Sequence, residues 1–427
     1  MGLCLLVFGI FLVLMFFAVP LAFGMTAAGI AVLQIEGSVS VIGAVPRIFA
    51  GMNSITLIAI PFFILSGSLM ECGNLTTGLV NFSKAWVGHL RGGLAYVCVI
   101  SCMLFAAVSG SSLATAVAFG NLLAPAMKKD GYDTPFIAAL QACGGTLGPV
   151  IPPSILFIMY ASIAGVSIGG LFMAGAIPGI IMGIALIIYS FFYARKHPEI
   201  KRTEPMPIGQ KLLETAKSIL ALLMPVIIIG GTLSGFCSPS EAGMVACVYA
   251  ILVGSIVYKG IKLKDMPRVF GNAAMTSSMV MMMMGFAGCM NYVLTRMNFA
   301  TMVGNWLMSF MSSGIGVLFI ITIFLLLLGM VMDANAALII FTPVFYPLAE
   351  LFNIPPLQLG LVVVVNIVIA QVTPPVGVLL SATAQLHDIP VHATYKYVWP
   401  MLGSLVAALI LFILIPPLST WLPSITM

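Results

Sequence analysis

Asp333 is the only charged side chain between Arg296 and Glu350, and it falls near the middle of the apolar stretch 315–349. In hydrocarbon a carboxylate at that depth is costly enough to mark a functional site. The structural alternative is a helix cap, which Asp and Asn supply naturally. Asn335 belongs to the same break, and three more polar clusters interrupt apolar runs: Ser109-Gly110-Ser111-Ser112 with Thr115, Gly144-Gly145-Thr146-Leu147-Gly148-Pro149, and Gln371-Val372-Thr373-Pro374. Where a helix breaks inside a bilayer its end peptide groups lose their partners, and an unpaired one costs on the order of several kcal/mol. Two kinds of species relieve that cost. Freed carbonyls and hydroxyls form the oxygen cage that a hard cation such as sodium prefers, while helix amino termini present positive dipole ends to an anion. These residue types therefore point to joint binding of a cation and an anion, not to bond-making chemistry.

An intramembrane hydrolase would need a Ser–His pair, two facing aspartates or an HExxH helix. No histidine and only one aspartate lies deep in an apolar run, so the chain is not expected to be an enzyme. Ser154, Thr342 and Ser381, taken singly, are expected to bond back to the preceding turn or to join helices. Met281 to Met284 reads as apolar packing. His89, His197, His387 and His392 fall in loops and are expected to be solvated, and Glu71 and Glu241 sit near helix ends without a needed role. Cys4, Cys72, Cys98, Cys102, Cys143, Cys237, Cys247 and Cys289 lie almost all in apolar stretches without CxxC or metal spacing, the pattern of small buried residues.

Composition fixes what must hold these clusters. Of 427 residues, 61% are hydrophobic and 7% charged, against roughly 25% charged in a soluble domain. The solvent is lipid, where every backbone amide needs a partner within the protein and a crossing helix needs roughly 20 apolar residues. The runs are too long and too continuously apolar for a β-barrel, so an all-α polytopic membrane protein is expected. Met1 to Val19 lacks a basic leader region and a small-residue cleavage site, and reads as the first membrane helix. The net charge of +5 is spread over loops, which makes it a topology signal and argues against a nucleic-acid surface.

Apolar segments run over 3–33, 48–72, 93–127, 135–164, 168–194, 218–236, 240–258, 269–295, 315–349, 357–386 and 397–422. Segments 93–127 and 315–349 are too long for one crossing and carry a polar break, as re-entrant hairpins would. With the amino terminus inside and both segments treated as hairpins, fifteen basic residues fall inside, among them Lys84, Arg91, Lys128, Lys129 and Arg268, and only Arg47 and Arg296 fall outside. That split obeys the positive-inside rule and puts the carboxyl terminus outside. A shift of 222 residues carries Pro125 onto Pro347, Pro152 onto Pro374 and Pro153 onto Pro375. Each half therefore reads hairpin, short loop, then a helix broken at Pro-Pro, with opposite orientation in the membrane. Inverted repeats with broken helices point to a midplane site in a secondary transporter. The basic, Pro-containing stretch from Arg195 to Lys217 is the expected linker, its membrane-proximal part lying along the inner surface as an amphipathic helix.

The run to VPLAFGM, the segment GMNSITLIAIPFFILSGSLMECGNL, and AAVSGSSLATAVAFGNLLAPAM, GGTLGPVIPPS and VTPPVGVLL together resemble the large membrane subunit of tripartite ATP-independent periplasmic (TRAP) transporters, over essentially the whole chain. The resemblance implies an elevator-type protein of the ion transporter superfamily, driven by about two sodium ions. Its partners would be a small four-helix membrane subunit, expected here as a separate chain, a soluble periplasmic substrate-binding protein and the lipid bilayer of the bacterial inner membrane. It implies sodium sites at Ser109, Gly110, Ser111 and Ser112 with Gly145, Gly148, Pro149 and Pro152, and at Gly329, Met332, Asp333 and Asn335 with Gln371, Thr373 and Pro374. The substrate, a carboxylate such as a four-carbon dicarboxylate or a sialic acid, would lie near Ser111, Ser112, Thr115, Ser154 and Asp333. No arginine lies deep enough to clamp that carboxylate.

The expected division is scaffold helices over 1–92, the first hairpin and broken helix over 93–165, scaffold and linker over 166–314, the second hairpin and broken helix over 315–390, and a carboxyl-terminal helix over 391–427. A stand-alone sodium/carboxylate symporter of the same superfamily is the rival reading, separated by whether the chain needs its partners. A channel is separated by sodium-dependent uptake against a gradient.

Overall fold

The computed structural model describes residues 2–37, 43–311 and 313–426. Among them the chain is helical and contains no strand. The first apolar stretch is two helices, α1 (Gly2–Phe16) and α2 (Leu21–Glu36), packed against each other. Ala18 takes a left-handed φ of 58° that ends α1, and Pro20 has no N–H with which to continue a helix across the junction. With 15 residues, α1 spans about 22 Å, short of the roughly 30 Å hydrocarbon core. The helix expected over Met1 to Val19 is therefore present as α1, shorter than a full crossing by itself.

There follow α3 (Ala44–Met52), α4 (Ala59–Cys72), which a 3-10 turn at Ile55–Ile58 precedes, and α5 (Leu75–Val87). The first hairpin is α6 (Gly93–Ser109) and α7 (Ser112–Lys129). Next come α8 (Thr134–Gly145), α9 (Ile155–Ala164) and the long α10 (Ile168–Lys196). After a coil over 197–207 the chain forms α11 (Ile208–Leu233), α12 (Pro239–Leu252), α13 (Met266–Arg296) and α14 (Phe299–Met308). The second hairpin is α15 (Gly314–Gly329) and α16 (Ala334–Leu351), followed by α17 (Pro356–Ala370), α18 (Val378–Leu386), α19 (Tyr395–Leu414) and α20 (Pro417–Thr426). Among the described residues, seven helical stretches can cross a membrane by length and composition, including Ile168–Lys196, Ile208–Thr232 and Leu263–Arg296. The linker's final residues are no separate surface helix. Beginning at Ile208 they form the first turns of α11, because nothing between Ile208 and Leu233 breaks the helical pattern before Pro225.

The two halves repeat each other in register. A shift of 222 residues carries Ser112–Lys129 onto Ala334–Leu351, and both Pro152-Pro153 and Pro374-Pro375 are cis. The halves also exchange parts. The second piece of the first broken helix, α9, packs on α16 and α17, while its counterpart α18 packs on α7 and α8. Helices α8 and α17 lie at the centre of this bundle, with Phe136–Gly145 and Gln358–Ala370 buried on every side. A helix apolar all round belongs there. A second group, α2, α3 and α4 against α13, α12 against α4, and α5 against α11, stands beside it. Helix α10 packs on α6, α17, α19 and α20, so residues 168–196 stand with the hairpin bundle and not with α11 to α13, with which sequence order groups them. Ile184, Ile188, Phe192 and Val226 point outward, as they must where the surroundings are lipid. Of the cysteine side chains described, Cys98, Cys102, Cys143, Cys247 and Cys289 are buried, Cys72 and Cys237 are partly so, and all seven are free thiols; that of Cys4 lies outside those described.

Candidate functional site

The first hairpin turns at Gly110, whose φ of 57° is left-handed and whose missing side chain leaves room for the Pro153 carbonyl and the Ile155 amide. A Cβ there would stand 3.0 Å from that carbonyl oxygen, a tight contact added to the strain that a side chain meets at this left-handed φ. The chain then enters α7 through Ser111, whose Oγ accepts the Ala114 N–H. Thr115 donates to the Ser111 carbonyl at 2.8 Å, and its Oγ1 lies 3.0 Å from Ser109 Oγ. Against this tip sits the end of α8. Cβ atoms built on Gly145 and Gly148 would meet the carbonyl oxygens of Ser112 at 2.8 Å and of Ser111 at 2.6 Å. The glycines thus bring two backbones together and concentrate oxygen atoms at one point.

The second hairpin repeats the plan with a charge. Asp333 opens α16, and its Oδ2 accepts the Asn335 N–H at 2.9 Å, so the aspartate is the helix cap. Capping and function are not exclusive, because one carboxylate has several acceptor positions. Gly329 faces Ala370 closely enough that a Cβ would clash at 2.5 Å, locking this hairpin to the end of α17. Beyond it Gly377, at φ 47°, folds back over the carbonyl oxygens of Gln371 and Thr373. The Gln371 side-chain oxygen is buried without a hydrogen-bond partner.

Both tips open into one cavity of about 500 Å³. Of the residues expected from sequence, Ser109, Gly110, Ser111, Ser112, Pro149, Asp333, Asn335 and Gln371 line it. Gly145, Gly148, Pro152, Gly329, Met332, Thr373 and Pro374 are not among its lining residues. Thr115 and Ser154 are buried away from the wall. The Ser154 hydroxyl donates to the Pro149 carbonyl and accepts the Phe157 N–H, so its hydrogen bonds serve the α8–α9 break and the cap of α9. Thr342 bonds back to Leu338, and Ser381 to Val376.

The first turns of three helices reach the cavity: Ser112 to Ala114 of α7, Ile155 and Leu156 of α9, and Ala334 and Asn335 of α16. First-turn N–H groups have no acceptor within their own helix, so three positive dipole ends converge here. The rest of the wall is largely apolar, with Ile64, Phe105, Leu113 and Val117 among its residues; its polar groups are mostly oxygen, and among the described residues no lysine, arginine or histidine contributes to it. Hydroxyls, main-chain carbonyls, an unpartnered amide oxygen and a carboxylate make a donor set that fits sodium. Among the described residues no three His, Cys, Asp or Glu side chains converge as zinc or iron would require.

Sequence reasoning passed over the opposite wall. Ile64, Gly67, Ser68 and Glu71 of α4 and Thr276 and Val280 of α13 complete the cavity. Gly67 approaches Ser109 so closely that a Cβ would lie 3.2 Å from its Cα. Glu71 had carried a signal, as the only charged residue between Arg47 and Lys84, the same property that singles out Asp333.

Over residues 8–418 the sequence matches the family described as tripartite ATP-independent periplasmic transporter, DctM component. It is 37% identical over 381 residues to the C4-dicarboxylate TRAP transporter large permease protein DctM of Pseudomonas aeruginosa, covering 88% of each chain. To the sialic acid TRAP transporter large permease protein SiaM of Vibrio cholerae it is 32% identical over 413 residues, covering 96% of each. The fold is similar to that of the Alcanivorax borkumensis YdaH transporter, with a TM-score of 0.59 at 14% identity over 90% of this chain and 88% of that one.

Proposed function

The chain belongs to the family of the DctM component of tripartite ATP-independent periplasmic transporters, and on that premise we propose that it is the translocating subunit for sodium-coupled uptake of a small organic acid. It is a multi-pass membrane protein, which we place in the bacterial inner membrane with its amino terminus inside and carboxyl terminus outside. One observation carries the coupling. Among the described residues, the cavity between the tips is lined by two carboxylates, Asp333 and Glu71, and by no basic side chain. Alone, these charges repel an organic anion, and the three helix ends, each equivalent to roughly half a positive charge, only partly offset them. Sodium ions bound first at the tips make the cavity attractive. The acid then binds between N–H groups and bound cations, and neither species is well held without the other.

We assign about two sodium ions, one between Ser109 to Ser112 and the Gly145 to Pro152 break, one between Gly329 to Asn335 and Gln371 to Pro374. Ser111, Ser112 and Asp333 face the acid. A four-carbon dicarboxylate or a sialic acid fits the relatives' names, and the choice belongs to a soluble binding protein working with a small membrane subunit. The interlocked hairpins and broken helices would move as one body against α2 to α5 and α11 to α13, an elevator step.

The test is uptake into proteoliposomes containing this chain and the small subunit, with the binding protein outside. Accumulation of an acid only under an inward sodium gradient, and only with the binding protein, is expected. Uptake without either partner would favour a stand-alone symporter, and uptake indifferent to sodium would overturn the coupling.

A further inference from the structure

The tip cavity is not closed. A second cavity of about 430 Å³, lined by Ser68, Glu71, Cys72, Arg268, Val269 and Asn272, shares Ser68 and Glu71 with the first. On α13 the lining residues follow one face at helical spacing, Arg268, Asn272, Thr276 and Val280, the first two in the outer cavity and the last two in the inner one. On α4, Gly67, Ser68 and Glu71 form the facing wall. The two cavities thus meet at Ser68 and Glu71, forming a groove that runs from the hairpin tips to the first turn of α13. By the charge distribution adopted above, that end is cytoplasmic.

Among the described residues, Arg268 is the only basic side chain lining either cavity. It is exposed, and among the described residues no carboxylate lies within ion-pairing distance of it, although Glu71 shares its cavity. Glu71, Asp265 and Arg268 all lie near enough to the Cys72 thiol to act on it through space. An exposed arginine without a partner carboxylate keeps its planar donor fork available for another anion.

We propose that the α4–α13 groove is the path by which the transported acid leaves for the cytoplasm, with Arg268 as its cationic landing site and Glu71 as the charge that keeps the acid from dwelling there. The inference rests on the transport reading and gives it a direction. An acid that loses its sodium partners at the tips finds no other side-chain cation on the cavity walls. Arg268 draws it outward, and repulsion from Glu71 shortens its stay.

The electrostatic claim is tested without any transported acid. In full-length protein reconstituted in liposomes, with Cys72→Ser removing the native thiol of the groove, Asn272→Cys supplies a probe. Its modification rate is measured from the cytoplasmic side with an anionic sulfonatoethyl, a cationic trimethylammonioethyl and a neutral methanethiosulfonate. Arg268→Gln is expected to slow the anionic reagent about threefold or more, to leave the neutral one unchanged, and to be rescued by Arg268→Lys. Glu71→Gln is expected to speed the anionic reagent. An anionic rate indifferent to Arg268→Gln, or a probe reached only from the other side, overturns the proposal even where sodium-driven uptake is intact. In the assembled transporter, complete modification at position 272 should halt uptake, and full uptake after it would refute the path.

Discussion

Ser111 and Asp333 hold the same station in the two hairpins: each immediately precedes its outgoing helix, and each side chain accepts a first-turn N–H, from Ala114 at 3.4 Å and from Asn335 at 2.9 Å. They differ in charge. If the second tip needs only a cap, an amide should replace the carboxylate without harm. Asp333→Asn keeps an acceptor for the Asn335 N–H, whereas Asp333→Ala removes it, at about 1 kcal/mol of stability. Both variants are expected to abolish sodium-driven uptake, with expression and assembly intact. Wild-type uptake by either would return Asp333 to a structural role.

Gly145 tests the first tip, where the proposed sodium site draws mostly on main-chain oxygens and side-chain deletions would reveal little. A Cβ there would lie 2.8 Å from the Ser112 carbonyl oxygen and 2.9 Å from Ala116 Cβ. Gly145→Val must push the hairpin away from α8. A rise of about tenfold or more in the sodium concentration for half-maximal uptake is expected. Gly271→Ala, whose added methyl meets nothing within 4 Å, should leave that concentration unchanged.

Gln371 separates stability from function. Its Oε1 is buried at the cavity wall without a partner, a state that costs about 1–3 kcal/mol in the absence of a bound cation. Gln371→Leu is expected to raise the melting temperature of the sodium-free protein in detergent. It should also erase the stabilisation that added sodium gives the wild type. A variant still stabilised by sodium to the wild-type extent would remove Gln371 from the cation site.

Asp333, the Ser109–Ser112 tip and the Pro-Pro breaks were legible in the sequence because a polar residue in a long apolar run has no ordinary reason to be there. Glu71 satisfied the same criterion and was passed over, its place at a helix end having supplied an ordinary reason. Thr276 gave no such signal. It becomes part of the wall only through the packing of α13 on α4, a contact between residues two hundred positions apart that local pattern does not encode. Within the first apolar stretch, hydropathy gives only the length of the run, and the division near Pro20 is completed by the left-handed backbone at Ala18. The exchange of α9 and α18 between the halves is likewise a tertiary fact.

His387, expected to be a solvated loop residue, is half-buried between α18 and α8, its Nε2 2.6 Å from Gln141 Oε1. Burial lowers its pKa from the ordinary histidine value, the Lys128 charge lowers it further, and Asp388 opposes both. With Nε2–H donating to Gln141, the neutral ring already satisfies this contact, and protonation adds only a charge that burial and Lys128 disfavour. In the unfolded chain the ring titrates near 6.5. Between that value and the lower folded one the unfolded state binds more protons, so stability rises with pH across the window. The contribution is complete above about 6.5 and is lost as pH falls through the folded value. Melting temperature measured in detergent from pH 5 to pH 8 should climb and then level off. His387→Gln, which can still donate to Gln141 but does not titrate, should flatten the climb without lowering the plateau by more than a few degrees. An unchanged slope in that variant would assign the pH dependence to another group.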